Sequence, residues 1–498
     1  MIQKRKAKSI MIQGTGSDVG KTVLVAGLCR LATRKGLSVL PFKPQNMSNN
    51  AAVADIPLDD GGGGEVARAQ WLQALACHRL SHVDMNPVLL KPQSDLGSQI
   101  IVHGKLWKTA NGRDYQSLKP HLMNAVMESY RRLCEQADLV IVEGAGSPAE
   151  LNLRVGDIAN MGFATKANVP VILVGDIDRG GVIASLVGTH TILSNMDRKM
   201  VCGYLINKFR GDLSVFDKGI DHISELTGWP CFGIIPWFSG ANNLPAEDSF
   251  ALERASSNQN GTVIVIVPVL SRISNFDDLD PLKLEPHLRL VFVRPGDLWP
   301  KGARLVILLG SKSTISDLEQ FKALGWERNL HNHVRQGGYV LGLCGGYQMM
   351  GRSVKDPYRI EGVQKEAKGL GLLDVDTVLI PNKVVLNTKA IDVTTKKSIE
   401  GYEIHMGSTR GPDRKRPMIL IGNKTDGAIS QNGLCRGCYL HGLFSSDDWR
   451  RSYLLSLGIE SKGQSYRNSL NSTLDELADF LELWIDAKIW EMNEILPV

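Results

Sequence analysis

The chain has 498 residues, more than one hydrophobic core usually covers, so two or three domains are expected. Its hydrophobic fraction of 43% is that of an ordinary globular protein, and a net charge of +5, spread along the chain without aromatic interleaving, marks no nucleic-acid face. No stretch reaches membrane-helix length and Ser9–Ile12 lacks a signal-peptide core, so a soluble, cytoplasmic protein with reduced thiols is expected.

After a short basic leader, Lys4–Lys8, apolar runs alternate with amphipathic stretches: SIMIQ, then VLVAGLCRLATRKG, then LSVLPFK. This is the rhythm of parallel βαβ units. Further buried strands are expected at Leu139–Val142, Val169–Val174 and Val201–Ile206, which makes the first half a doubly wound, mainly parallel α/β domain over 1–252. The polar segment Glu253–Gly261, ERASSNQNG, reads as a linker. The rhythm then restarts with Thr262–Leu270, Arg304–Ser311 and Tyr339–Gly346, a second α/β core over 262–498. At the end of the chain, STLDELADFLELWIDAKI opens with a capping-box pattern, Ser472 with Asp475 or Thr473 with Glu476, and places Leu474, Leu477, Leu481, Trp484 and Ile485 on one face. A helix docked on the second domain is expected there.

Two segments carry chemistry. The first, GTGSDVGKT (Gly14 to Thr22), joins a strand to a helix and has the parts of a phosphate cradle: backbone amides freed by glycine, a helix N-terminus, a lysine and a hydroxyl. Gly14, Thr15, Asp18, Gly20, Lys21 and Thr22 are its candidate nucleotide contacts, with Lys21 on the β and γ phosphates and Thr22 on magnesium. Its first glycine stands one residue further from Gly20 than strict P-loop spacing requires. Glu143, at the tip of LVIVE, is the expected acidic partner of the metal. A second carboxylate could come from Asp59, Asp60 or Glu65 near the glycine patch Gly61–Gly64; Asp60 is taken as the ligand. Asn207, ending GYLIN, could present its amide to a purine. Asp176, Asp178 and Arg179 follow another strand at the edge where ligands bind in such sheets.

The second segment is YVLGLCGGYQMMG (Tyr339 to Gly351), an apolar strand ending in Cys344 and two glycines. It reads as a nucleophile elbow, in which a tight strand-to-helix turn exposes the thiol and the following helix N-terminus favours thiolate. His441 in RGCYLHGLF is the candidate base, with His405 in GYEIHMG as its rival. Backbone amides at Gly310, Ser311 and Gly345 are candidates for an oxyanion hole. The lone pair Cys435 and Cys438 reads as two small buried thiols, since a structural zinc site needs a second pair.

These segments, together with KPQNMSNN, EVARAQWLQALA, NPVLLKPQSD, VEGAGSPAELNLR, DIANMG, VGDIDRGGV, INKFRGD, LGSKSTISDL, GYEIHMG and YLHGLF, resemble the cobyric acid synthase family over nearly the whole chain. The resemblance implies a dethiobiotin-synthetase-like ATPase joined to a class I-like glutamine amidotransferase. Its implied reaction is ATP- and glutamine-dependent amidation of the b, d, e and g carboxylates of adenosylcobyrinic acid a,c-diamide, with ATP and Mg2+ as cofactors. Cys344 matches the family nucleophile, His441 its histidine, and Lys21 and Thr22 its P-loop pair. Within the matched motifs Glu65, Asp157 and Asp176 are candidate substrate contacts. Two departures stand out: Leu443 occupies the position where ordinary class I enzymes carry the glutamate that orients the histidine, and Ile56–Gly62 is extra sequence before EVARAQ. The alternatives are a cobyrinate a,c-diamide synthase and a switch-type ATPase with an inert thiol domain.

Overall fold

The computed structural model describes residues 7–94, 97–247 and 261–491. Six strands of the first half form one parallel sheet in the order Cys231–Pro236, Val201–Phe209, Val171–Asp176, Lys8–Gly14, Leu139–Glu143, Val39–Phe42. The first strand of the chain thus has neighbours on both sides. The turn that leaves it stands where the strand order reverses, the place where open α/β sheets bind ligands.

Side chains of this strand alternate between two cores. Ile10 and Ile12 pack with the helix Lys21–Arg34, while Met11 belongs to the core containing Phe42, Val126 and Phe163. Burial on both faces is what a continuous apolar run in a parallel sheet requires. The register sets Ile12 level with Glu143, Gly14 with Val174 and Asp176 with Asn207, so the phosphate loop, Glu143, Asp176 and Asn207 share one sheet edge.

The second half repeats the plan. Leu288–Val293, Val263–Pro268, Leu305–Leu308, Tyr339–Leu343 and Cys435–Cys438 lie parallel in that order, and Ala428–Ile429 closes the edge antiparallel. A hairpin of two long strands, Asp376–Asp392 and Ser398–Arg410, shares a core with this sheet and pairs with the short strand Leu440–His441. The expected strands of both halves are present. Not read from the sequence were the long hairpin and a four-stranded sheet built from Gln45–Met47, Val88–Ser94, Gly97–Val102 and Lys105–Ala110.

The halves meet in a shared apolar cluster: Ala51, Val53, Ala67, Leu89 and Ile101 pack with Tyr402 and Ile404. The glycine patch takes part, with Gly63 N–H donating to Val385 O at 3.2 Å. Of the expected linker, residues 253–260 lie outside the described residues.

The C-terminal helix departs from expectation twice. It begins at Tyr466, not at the capping-box pattern, and Ser472 Oγ instead meets Glu476 within the helix at 3.3 Å. It also docks on the first half: Leu470, Leu474, Leu477 and Leu481 share a core with Leu24 and Leu28. Gly27 makes room, since a Cβ there would lie 2.4 Å from Leu481 Cδ1. Periodicity identifies an apolar face but not the surface that covers it. Leu477→Ala is therefore expected to cost about 2–5 kcal/mol and to accelerate hydrogen exchange in Lys21–Arg34; unchanged exchange there would refute this docking.

Candidate functional site

The phosphate loop wraps the Lys21 side chain. Lys21 Nζ donates to Gly16 O at 2.9 Å and to Gly146 O at 3.1 Å. Gly14 must lack a side chain, because a Cβ would sit 2.6 Å from Val19 Cγ2 and 2.9 Å from Lys21 Nζ. Thr15, the residue added to the strict spacing, donates its N–H to Val174 O at 3.0 Å and so continues the strand edge. Burial, and then the nearby Lys43, lowers the Lys21 pKa to about 8, a cost that an arriving phosphate would relieve.

Thr22, Glu143 and a third residue that sequence reading missed converge beside it. Thr22 Oγ1 lies 2.7 Å from both Glu143 Oε1 and Glu247 Oε2. Lys43 Nζ bridges the same two carboxylates at 2.8 and 2.5 Å, and Gln73 Nε2 donates to Glu143 Oε2 at 2.6 Å. Burial alone would discharge Lys43, but the two carboxylates hold its ammonium well above its ordinary range. A hydroxyl and two carboxylates are hard oxygen donors of the kind a divalent cation takes beside phosphates.

Asp60 is not part of this group. Its side chain is 57% exposed and pairs with Lys105 at 2.5 Å, while the neighbouring Gly63 is tied to Val385 O of the second half. Glu247 holds the place expected of Asp60. Asn207 is close to the loop but supports it, donating Nδ2 to Val19 O at 2.8 Å. Lys208, next to it, donates to Asp18 O and pairs with Asp176 at 2.8 Å. Asp176 thus stands at the loop, as a partner of lysine.

The remaining substrate candidates have structural duties. Asp157 accepts from the N–H groups of Ala159, Asn160 and Gly162 at the start of the helix Met161–Ala167. Glu65 is buried between Lys91, at 2.6 Å, and Lys383 at the junction of the halves, and these cations hold its carboxyl well below the usual range against the effect of burial.

In the second half Cys344 has φ 50° and ψ −109°, a strained conformation for a residue other than glycine and the mark of a nucleophile elbow. Its sulfur is nearly enclosed, 3.6 Å from Ile404 O. Gly345 presses against the opposing loop, where a Cβ would lie 2.7 Å from Ser311 N; one on Gly310 would lie 3.3 Å from His441 Cε1. The expected oxyanion loop, the elbow and His441 are therefore gathered at one place.

His441 Nδ1 lies 2.7 Å from Asp278 Oδ2, leaving its other ring nitrogen available to the nearby Cys344 thiol. Asp278 Oδ1 accepts from Gly442 N–H at 2.6 Å, and Tyr402 stacks on the imidazole. Burial alone would lower the His441 pKa, but Asp278, and after it Cys344, raise it to about 10. Asp278 therefore stands where the missing glutamate would act. Its neighbour Asp277 pairs with Arg68 of the first half at 3.1 Å, both side chains buried. The rival base His405 is paired with Glu403 at 3.2 Å and stacked on Tyr439. Cys435 and Cys438 are buried free thiols in their strand.

Residues 10–251 match the CobQ/CobB/MinD/ParA nucleotide binding domain family, and residues 264–449 the CobB/CobQ-like glutamine amidotransferase domain family. Over 482 residues the chain is 60% identical to a curated cobyric acid synthase of Rhizobium etli (strain CIAT 652), spanning 97% of this chain and 98% of that one. It is 61% identical over 489 residues to that of Sinorhizobium fredii, spanning 98% and 99%. With the Mesorhizobium japonicum protein of the same name identity is 60% over 481 residues, spanning 96% and 98%.

Asp278→Asn is expected to lower kcat for glutamine hydrolysis by roughly 10³–10⁴-fold, the loss that follows when a triad carboxylate is neutralised. Because Asp278 is what raises the His441 pKa, the alkaline limit of the activity should also move to lower pH; an unshifted limit would show that another group orients the histidine. Arg68→Met strands the Asp277 charge and should cost about 3–5 kcal/mol. Combining it with Asp277→Asn should restore most of that loss in a denaturant titration.

Proposed function

The chain belongs to the cobyric acid synthase family, and on that premise we propose how its two sites share one reaction. It is a glutamine-dependent, ATP-using amidoligase of cobalamin biosynthesis with a corrinoid acid as acceptor. We assign carboxylate activation to residues 1–252 and glutamine hydrolysis to residues 262–498, with the C-terminal helix of the second stretch packed back on the first. The acceptor we infer is adenosylcobyrinic acid a,c-diamide, amidated at its b, d, e and g carboxylates to adenosylcobyric acid.

A carboxylate does not react with ammonia unless its oxygen is made a leaving group. In the first half the γ-phosphoryl group of ATP passes to a substrate carboxylate, giving an acyl phosphate and ADP. Lys21 supplies the positive charge that this transfer needs at the phosphates. Thr22, Glu143 and Glu247 would hold magnesium, which when bound neutralises the β and γ phosphates. Until then Lys43 bridges the two carboxylates.

In the second half Cys344 Sγ attacks the side-chain carbonyl of glutamine while His441 holds the proton. Asp278 fixes the imidazole so that it returns this proton to the departing ammonia. Amides at Gly310 and Gly345 would receive the oxyanion. Water then releases glutamate from the thioester, and ammonia displaces phosphate from the acyl phosphate. A cytoplasmic site of action accords with eight free cysteines, and no helix among the described residues is long and apolar enough to cross a membrane.

The observation that carries this reading is the cavity at the thiol, which is lined by Cys344 and His405 and also by Gln93 and Gln99 of the nucleotide-binding half. Cys344→Ser should abolish glutamine-driven amidation and leave ammonium-driven amidation, whereas Lys21→Ala should stop both. Products are counted by mass spectrometry, with four added amides expected from the a,c-diamide. Glutamine-driven turnover in Cys344→Ser, or amidation of cobyrinic acid to its a,c-diamide alone, would overturn the reading.

A further inference from the structure

Three lysines, Lys91, Lys383 and Lys312, meet beside the thiol with two carboxylates near them: Glu65, and Glu361, which accepts from Thr314 N–H at 2.5 Å. Glu65 pairs with Lys91 and Lys383. Lys312 makes no hydrogen bond or ion pair through Nζ among the described residues, although its electrostatic environment includes Glu65, Lys91, Lys383 and Cys344. It lines the same cavity as Cys344.

An ammonium held away from water without a directly bonded anion is costly. Burial, and then the repulsion of Lys91 and Lys383, accordingly push the Lys312 amine well below its ordinary range. The cavity wall combines the apolar Leu379 and Ile404 with the polar Gln93, Gln99, Gln348 and Glu361, and packing alone does not account for a lysine here. Chain position does offer a reason. Lys312 directly follows Gly310 and Ser311, the loop pressed against Gly345 at the elbow, so its backbone is fixed relative to the sulfur. Its backbone N–H donates to Arg272 O at 2.9 Å, and the neighbouring Ser311 Oγ to Asp317 Oδ2 at 2.7 Å, which hold the loop in place.

We propose that Lys312 binds the α-carboxylate of glutamine and so selects an α-amino acid amide over other primary amides. This deepens, and rests on, the reading of Cys344 as the glutamine nucleophile. A carboxylate entering the cavity gives the Lys312 ammonium a directly paired anion, and Lys312 takes a proton from solvent as the pair forms. The two lysines already held by Glu65 keep that pairing, leaving Lys312 to the ligand.

The test compares L-glutamine with 4-aminobutanamide, the same molecule with hydrogen in place of the α-carboxylate, as substrates of the full chain. Lys312→Met should lower kcat/KM for glutamine by about 10- to 100-fold, mainly through KM, the loss expected for a charge-assisted hydrogen bond. It should leave the slow hydrolysis of 4-aminobutanamide within about threefold of its starting value. Lys312→Arg should recover part of the discrimination. Equal losses on both amides, or an unchanged KM for glutamine, would overturn the proposal. Each variant's thermal midpoint and ammonium-driven amidation report its folding, and Lys312→Gln carries the comparison should the Met variant fail to fold. Failure of the nucleophile reading is separate: it would appear as glutamine hydrolysis surviving in Cys344→Ser.

Discussion

Asp277 and Asp278 are neighbours in the chain, both are buried, and each has a different cation to satisfy: Arg68 of the nucleotide-binding half for the first, His441 of the glutamine-hydrolysing half for the second. Adjacent carboxylates repel and lose their hydration on burial, so a partner cation offsets part of that cost for each. The orientation of the catalytic imidazole thus rests on a turn that is anchored across the junction of the two halves. Asn275, at the start of that turn, adds a direct tie by donating Nδ2 to Ala51 O at 2.6 Å.

The helix Arg68–Ala76 extends this dependence. At its first residue it meets Asp277, and five residues on Gln73 donates to Glu143 in the nucleotide site. One short helix therefore touches both sets of chemical groups. The nucleotide site follows the same logic of compensated charge, since Glu143 and Glu247 stand together only because Lys43 lies between them. The lysines around Glu65 are the inverse case, with cations in excess of anions.

Much of the fold could be read from residue order, because continuous apolar runs followed by glycine turns have few alternatives to buried parallel strands. The phosphate loop, the elbow at Cys344 and His441 were legible for the same reason, as chemistry placed at strand ends. Asp278 was not. In NFDDLDPL it looks like one acid of a solvated turn, and its burial is produced by His441, 163 residues further on. Glu247 was hidden similarly beside a polar segment, while Asp60 drew attention through its glycine neighbours and proved to be a surface partner of Lys105. Lys43 reads as the polar end of a strand, yet packing makes it the charge that holds two carboxylates. The C-terminal helix announced its apolar face but not its partner, since the core that receives it is assembled from the opposite end of the chain.

If the two sites share one reaction, nitrogen released at Cys344 becomes amide nitrogen on an acid activated at the phosphate loop of the same chain. Supplying glutamine labelled with 15N in its amide, together with ATP and the corrinoid a,c-diamide in unlabelled ammonium buffer, tests it directly. The expected product carries the label in every new amide, with one ATP consumed for each. Label recovered only as free ammonium, with unlabelled amides or none in the corrinoid, would contradict it.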